Sequence, residues 1–142
     1  MESYKFSEIE EGSSYTNEIG KITQYMIDQF SDVSGDHNPV HKPKDVYAED
    51  DLFKAPIAHG MLVASFISQT LGTKFPGEGT IYLGQDLQFR KPVYVNDRVA
   101  VVLTVINKIT TKNLINLKTE VVIRKGDENI VAITGQATVM KK

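Results

Sequence analysis

Asp36-His37-Asn38-Pro39-Val40-His41 sets a carboxylate and an imidazole five residues apart around an Asn-Pro turn. On a continuous helix those two side chains would point about 140° apart. Pro39 makes such a helix improbable and bends the chain, so Asp36 and His41 can converge on one point. An imidazole titrates near neutrality, and a partly desolvated carboxylate moves up towards it. Converged, the pair can hold one water molecule and move protons in both directions. Solvated Asn-Pro turns with an Asp and a His nearby are common, and on spacing alone that reading stands beside the chemical one.

His59-Gly60-Met61 is the second feature. It opens an uncharged run just after Ala55-Pro56, where a helix would begin. The first N–H groups of a helix have no intrahelical partner. Gly60 lacks a side chain, so a ligand atom can approach its N–H, and the helix dipole adds to the attraction. That combination is a candidate oxyanion hole. The plainer alternative is that Gly60 permits close packing and His59 is a satisfied core histidine. Ser65 and Ser68 are the hydroxyls inside the run before Thr70. Such serines commonly bond back to a carbonyl one turn earlier. Ser68 lies about 80° from Gly60 around a helix and Ser65 about 140°, which favours Ser68 as a supporting group.

Other groups carry less. The three histidines with Asp36 match no established zinc spacing, so no metal is expected. Gly77-Glu78-Gly79 lacks the lysine of a phosphate-binding loop and reads as a turn. Arg90, Lys91 and Arg98 around Pro92 are either a solvated strand edge or a phosphate contact. Glu49, Asp50 and Asp51 read as solvated surface.

The elements that must hold these groups follow from periodicity. Thr23 is a plausible N-cap for a helix over residues 24–31, and 34–43 reads as an ordered loop followed by a short helix over about 43–50. A short strand fits residues 12–17, with Tyr15 inward. Residues 57–72 carry no charge and are apolar on every side, which predicts a helix buried all round. At about 24 Å it is short for a membrane span. Four strand-like runs follow, through 81–90, 98–106, 115–123 and 131–139, with Asn96-Asp97 and Gly126-Asp127 as turns. Val131, Ile133, Gly135, Ala137 and Val139 form a last apolar face whose small residues would admit a helix. An antiparallel sheet curled around one buried helix is a hot-dog fold of the α+β class; the alternative is a helix lying on one face of an α+β sandwich.

The bulk numbers bound the rest. A chain of 142 residues suits one domain. A formal net charge of -2 argues against nucleic acid as a partner. The absence of cysteine removes disulfides, thiolate metal sites and a thiol nucleophile. The polar start Met1-Glu2-Ser3-Tyr4-Lys5 shows no secretory leader, so a cytoplasmic location away from membranes is expected.

Asp36-x-Asn38-Pro39-x-His41 followed by Ile57-Ala58-His59-Gly60-Met61-Leu62 resembles the MaoC-like (R)-specific enoyl-CoA hydratases. The likeness continues through Gly79-Thr80-Ile81-Tyr82-Leu83-Gly84 and Phe89-x-x-Pro92-Val93 and covers most of the chain. The resemblance implies a hot-dog fold, a homodimer and a trans-2-enoyl-CoA substrate hydrated to (R)-3-hydroxyacyl-CoA without metal or redox cofactor. It implies that Asp36 and His41 bind and activate the water and that the Gly60 N–H stabilises the thioester oxygen. Asn38, Ser68 and His59 would support them. Alternatives on the same fold are a 3-hydroxyacyl thioester dehydratase acting on carrier-protein substrates, an acyl-CoA thioesterase and a non-catalytic acyl-CoA-binding module. Met61, Leu62, Phe66 and Phe75 are candidates for closing the acyl pocket.

Overall fold

The structure is a computed structural model that describes residues 1–142. Strand β1 (Ser14–Lys21) leads into helix α1 (Gln24–Ser34), a 3-10 turn (Pro39–His41) and helix α2 (Gly60–Thr73). Strands β2 (Ile81–Gln85), β3 (Gln88–Phe89), β4 (Arg98–Ile109), β5 (Leu114–Lys125) and β6 (Glu128–Met140) complete the chain. All pairings are antiparallel, in the order β1-β4-β5-β6-β2, and β3 also pairs with β6. The sheet curls about α2, which packs on β2, β4 and β5; this is the hot-dog fold. Alternation builds the wall: Ile115, Leu117, Thr119, Val121 and Ile123 of β5 all point inward and are buried. Leu62, Val63, Ile67 and Leu71 of α2 meet them, and each buried side chain of that size stabilises the fold by about 1.5–3 kcal/mol.

Thr23 caps α1, its hydroxyl accepting from Met26 N at 3.2 Å. The helix continues to Ser34, three residues past the expected end, until Gly35 takes φ +78. Other expectations need correction. Helix α2 is not buried all round: Met61, Ser65, Ser68 and Gln69 form an exposed, uncharged stripe. The sheet covers one side of the helix, and lack of charge alone does not reveal that. No helix forms over 43–50. There Asp51 accepts from Lys44 Nζ at 2.8 Å and from the Ala48 N–H at 2.7 Å, so a side chain takes a donor a helix would need.

The run 81–90 is two strands rather than one, interrupted at Asp86 and Leu87. A Cβ on Gly135 would lie 2.0 Å from the Asp86 carbonyl oxygen, so Gly135 admits this strand crossing and not a helix. Pairing slips between Val121 and Val122, which turns Ala132 fully inward and leaves Val131 half-buried.

Candidate active site

The loop after α1 is built from short side-chain to main-chain bonds. Ser34 Oγ donates to Phe30 O at 2.6 Å and accepts from Asp36 N at 3.1 Å. Asp36 Oδ1 accepts from Asn38 N at 3.2 Å, and Asn38 Oδ1 accepts from Val40 N at 3.3 Å. Asn38 therefore shapes the turn by capping the 3-10 segment, with Pro39 in its first turn.

This geometry brings Asp36 Oδ2 to 3.8 Å from His41 Nε2. That is too long for a direct hydrogen bond and within the span of two bonds to one shared water. His41 is buried, its side chain 7% exposed, whereas that of Asp36 is 53% exposed. His41 Nδ1 lies 2.7 Å from the Ile57 carbonyl oxygen. A carbonyl only accepts, so Nδ1 carries a proton and donates it there. Every proton that His41 exchanges with the cavity must then pass through Nε2, the nitrogen facing Asp36.

His59 lies behind the pair. It is 3% exposed, and its ring stacks on His41 at 3.5 Å with an interplanar angle of 22°. Its Nε2 sits 3.1 Å from both Ser31 Oγ and the Asp36 main-chain oxygen. Gly60 follows at the start of α2, and its N–H has no hydrogen-bond acceptor. Phe30, Asp36, His41, His59, Gly60 and Met61 line a cavity of about 280 Å³. A second cavity of about 430 Å³ shares Gly60 and Met61 and is walled by Phe89, Pro92, Val93 and other apolar residues, with Arg90 and Lys91 in its lining. A Cβ on Gly60 would fall 2.6 Å from the Phe89 ring, so only glycine leaves that ring where it is.

Asp36, His41, His59 and Gly60 thus line one cavity, and Asn38 shapes the loop that carries the first two. Ser68 does not join them: it lies on the exposed stripe of α2 and lines neither of these cavities. His37, the third histidine, points away towards Asp32 at 4.0 Å. Asp36, His41 and His59 have the composition of a cation site, with ligand atoms within 4.8 Å of one another. Stacking defeats it. Near-parallel rings aim their nitrogen lone pairs side by side, whereas a zinc ion needs them to converge at about 2.0–2.1 Å.

Three contributing residues were not expected. Ser31 is fully buried on the same helical face as Ile27, and a polar residue on an apolar face was the available signal. Gln24 Nε2 donates to the His41 main-chain oxygen and to Asp28 Oδ1, both at 2.9 Å. Asp28 Oδ1 also accepts from Lys42 Nζ at 2.8 Å, and that hydrogen bond, followed by the one from Gln24, holds its carboxyl below the ordinary aspartate value. The Gln24/Asp28 spacing was visible; its target across the loop was not.

The MaoC like domain family matches residues 6–126. A relative from Rhodospirillum rubrum, an (R)-specific enoyl-CoA hydratase, is 40% identical over 136 residues, 95% of this chain and 90% of its own. A 3-hydroxybutyryl-CoA dehydratase from Methylorubrum extorquens is 37% identical over 119 residues, covering 84% of this chain and 73% of that one. The solved (R)-hydratase from A. caviae involved in PHA biosynthesis superposes with a TM-score of 0.84 at 34% identity, covering 94% of this chain and 98% of that one.

Proposed function

The chain belongs to the MaoC-like domain family, and from that membership we propose that it is a hydro-lyase adding water to trans-2-enoyl-CoA to give (R)-3-hydroxyacyl-CoA. The observation that carries this reading is the 3.8 Å gap between Asp36 Oδ2 and His41 Nε2, open to a cavity that Gly60, whose N–H has no acceptor, also lines. Water is a poor nucleophile, and the β-carbon is electrophilic only through conjugation with the thioester. Attack needs a base at the water and a donor at the oxygen where charge develops.

In the proposed step, which starts with Asp36 ionised and His41 carrying a proton on both ring nitrogens, Asp36 takes a proton from the water as the water oxygen bonds to the β-carbon. The double-bond electrons move onto the thioester oxygen, held by the Gly60 N–H. The enolate then collapses as His41 Nε2 delivers a proton to the α-carbon, and the proton on Asp36 returns to His41 as product leaves. Proton transfer by a placed pair contributes about 10²–10⁴-fold, and one oxyanion donor about 10²–10³-fold. No metal or redox cofactor enters this scheme. Arg90 and Lys91, in the lining of the apolar cavity, are the candidate contacts for the CoA phosphates.

A homodimer belongs to the same proposal. Ile81, Leu83 and Phe89 are exposed, and β2 ends the sheet with a free edge, which a second copy would cover. Sedimentation at micromolar concentration tests it: a persistent monomer contradicts it.

Dehydration is the second reading, favoured by the Methylorubrum extorquens relative; it is the same reaction run backwards. The test follows enoyl absorbance with C4 to C12 enoyl-CoA substrates, then with carrier-protein thioesters, and determines product stereochemistry. Free thiol release would mark a thioesterase instead, and tight binding without turnover a non-catalytic module.

A further inference from the structure

The loop that carries Asp36 and His41 is tied to its surroundings at both ends, in each case through the main-chain oxygen of the reactive residue itself. Asp36 O receives His59 Nε2 at 3.1 Å, and His41 O receives Gln24 Nε2 at 2.9 Å. From these two contacts we infer that His59 and Gln24 are positioning residues, which pin the two carbonyls and so fix the separation of the reactive side chains. This rests on the hydratase reading and adds two residues to it.

The tautomer of His59 follows from its neighbours. Asp36 O can only accept, so the ring nitrogen facing it carries the proton. The other ring nitrogen, Nδ1, is buried without a partner. That is an unfavourable arrangement, and buried polar atoms left so are rare. It is tolerated here because the alternative tautomer is worse: it would bury an unpartnered N–H and face a lone pair towards the Asp36 carbonyl. Ser31 Oγ at 3.1 Å and the ring of Phe30 at 4.8 Å hold the imidazole from α1.

Gln24 acts from the opposite side. Its amide nitrogen spends one proton on His41 O and the other on Asp28, which Lys42 in turn holds at 2.8 Å. Lys42 is the residue next to His41, so helix α1 grips the loop by two successive residues. Helix α1 therefore supports both ends, Gln24 directly and Ser31 through His59. A misplacement of about 1 Å at reacting atoms costs roughly 10²-fold in rate, so these ties are expected to appear in kcat.

Three near-isosteric variants separate tie from bulk. His59→Phe keeps the stacked ring and loses the N–H. His59→Gln places an amide N–H where Nε2 was and loses the ring. Gln24→Leu removes both bonds at the other end. With a C4 enoyl-CoA, His59→Phe and Gln24→Leu should each lower kcat about tenfold or more, with KM within about threefold. His59→Gln should recover most of what His59→Phe loses. Nitrogen-15 NMR of the His41 ring gives a reading independent of turnover: the ties predict a broadened or shifted His41 signal in Gln24→Leu and His59→Phe. Wild-type kcat and an unmoved His41 signal in both variants overturn the inference, as does a Gln variant no better than Phe. An inactive wild type whose His41 signal still responds to the variants sinks the hydratase reading and leaves the ties standing.

Discussion

Two cavities meet at Gly60, and they are built by opposite means. The smaller one is enclosed by polar ties: Ser34, Asn38, His59 and Gln24 each bond a main-chain atom of the loop over 36–41. The larger one is walled by apolar side chains and the two-residue strand β3, and Phe89 in that wall is 54% exposed. Hydrogen bonds have direction, so a polar cage fixes atoms in place. Apolar contact is non-directional and lets a wall give.

The largest expected effect lies on the polar side. Asp36→Asn or His41→Gln should lower kcat for crotonyl-CoA hydration about 10³-fold with circular dichroism and thermal midpoint unchanged, since one partner of a proton-transfer pair is lost. Retained turnover in both variants would make the two cavities equivalent in role and remove the contrast. Gly60→Ala comes next. Its methyl group would meet the Phe89 ring, which can swing because it is half exposed, so stability should hold while kcat/KM falls about tenfold as the boundary between the cavities moves. Phe89→Leu in the same chain should recover part of the loss; no recovery would mean that the methyl group acts at the N–H and not at the wall.

On the apolar side Arg90→Ala with Lys91→Ala should raise KM several-fold and leave kcat alone. The increase should shrink with added salt, as exposed charge contacts are worth about 0–1 kcal/mol each and are screened. A loss in kcat would place the two residues in the chemistry instead.

The smallest effect is in stability. The Asp28 carboxyl lies below its ordinary value of 3.8 in the folded chain, held chiefly by Lys42. A depressed value stabilises the fold above the unfolded value, and the contribution disappears as pH falls through the folded one. Denaturant unfolding of wild type and Asp28→Asn should therefore differ above pH 3.8 and converge in stronger acid. A constant difference across that range would show that the tie does not depend on the charge of Asp28.

The sequence made the alternating strands legible, because inward residues of β5 repeat at every second position and nothing interrupts them. Asp36 and His41 were legible as a pair because Pro39 forces a bend between them. What escaped depends on contacts between distant segments. Gly135 faces Asp86, Gln24 faces His41 and Ser31 faces His59, and no local pattern reveals such partners. The exposed stripe of α2 escaped for a related reason: Met61, Ser65, Ser68 and Gln69 carry no charge, so their sequence looks like a core.

The most direct test of a water held on one face by Asp36 and His41 is hydration of crotonyl-CoA in D2O, with proton coupling used to assign the product. One water and one returning proton from the same side require syn addition, with the new hydroxyl and the deuterium on the same face. Anti addition, or a product of mixed configuration, would contradict it.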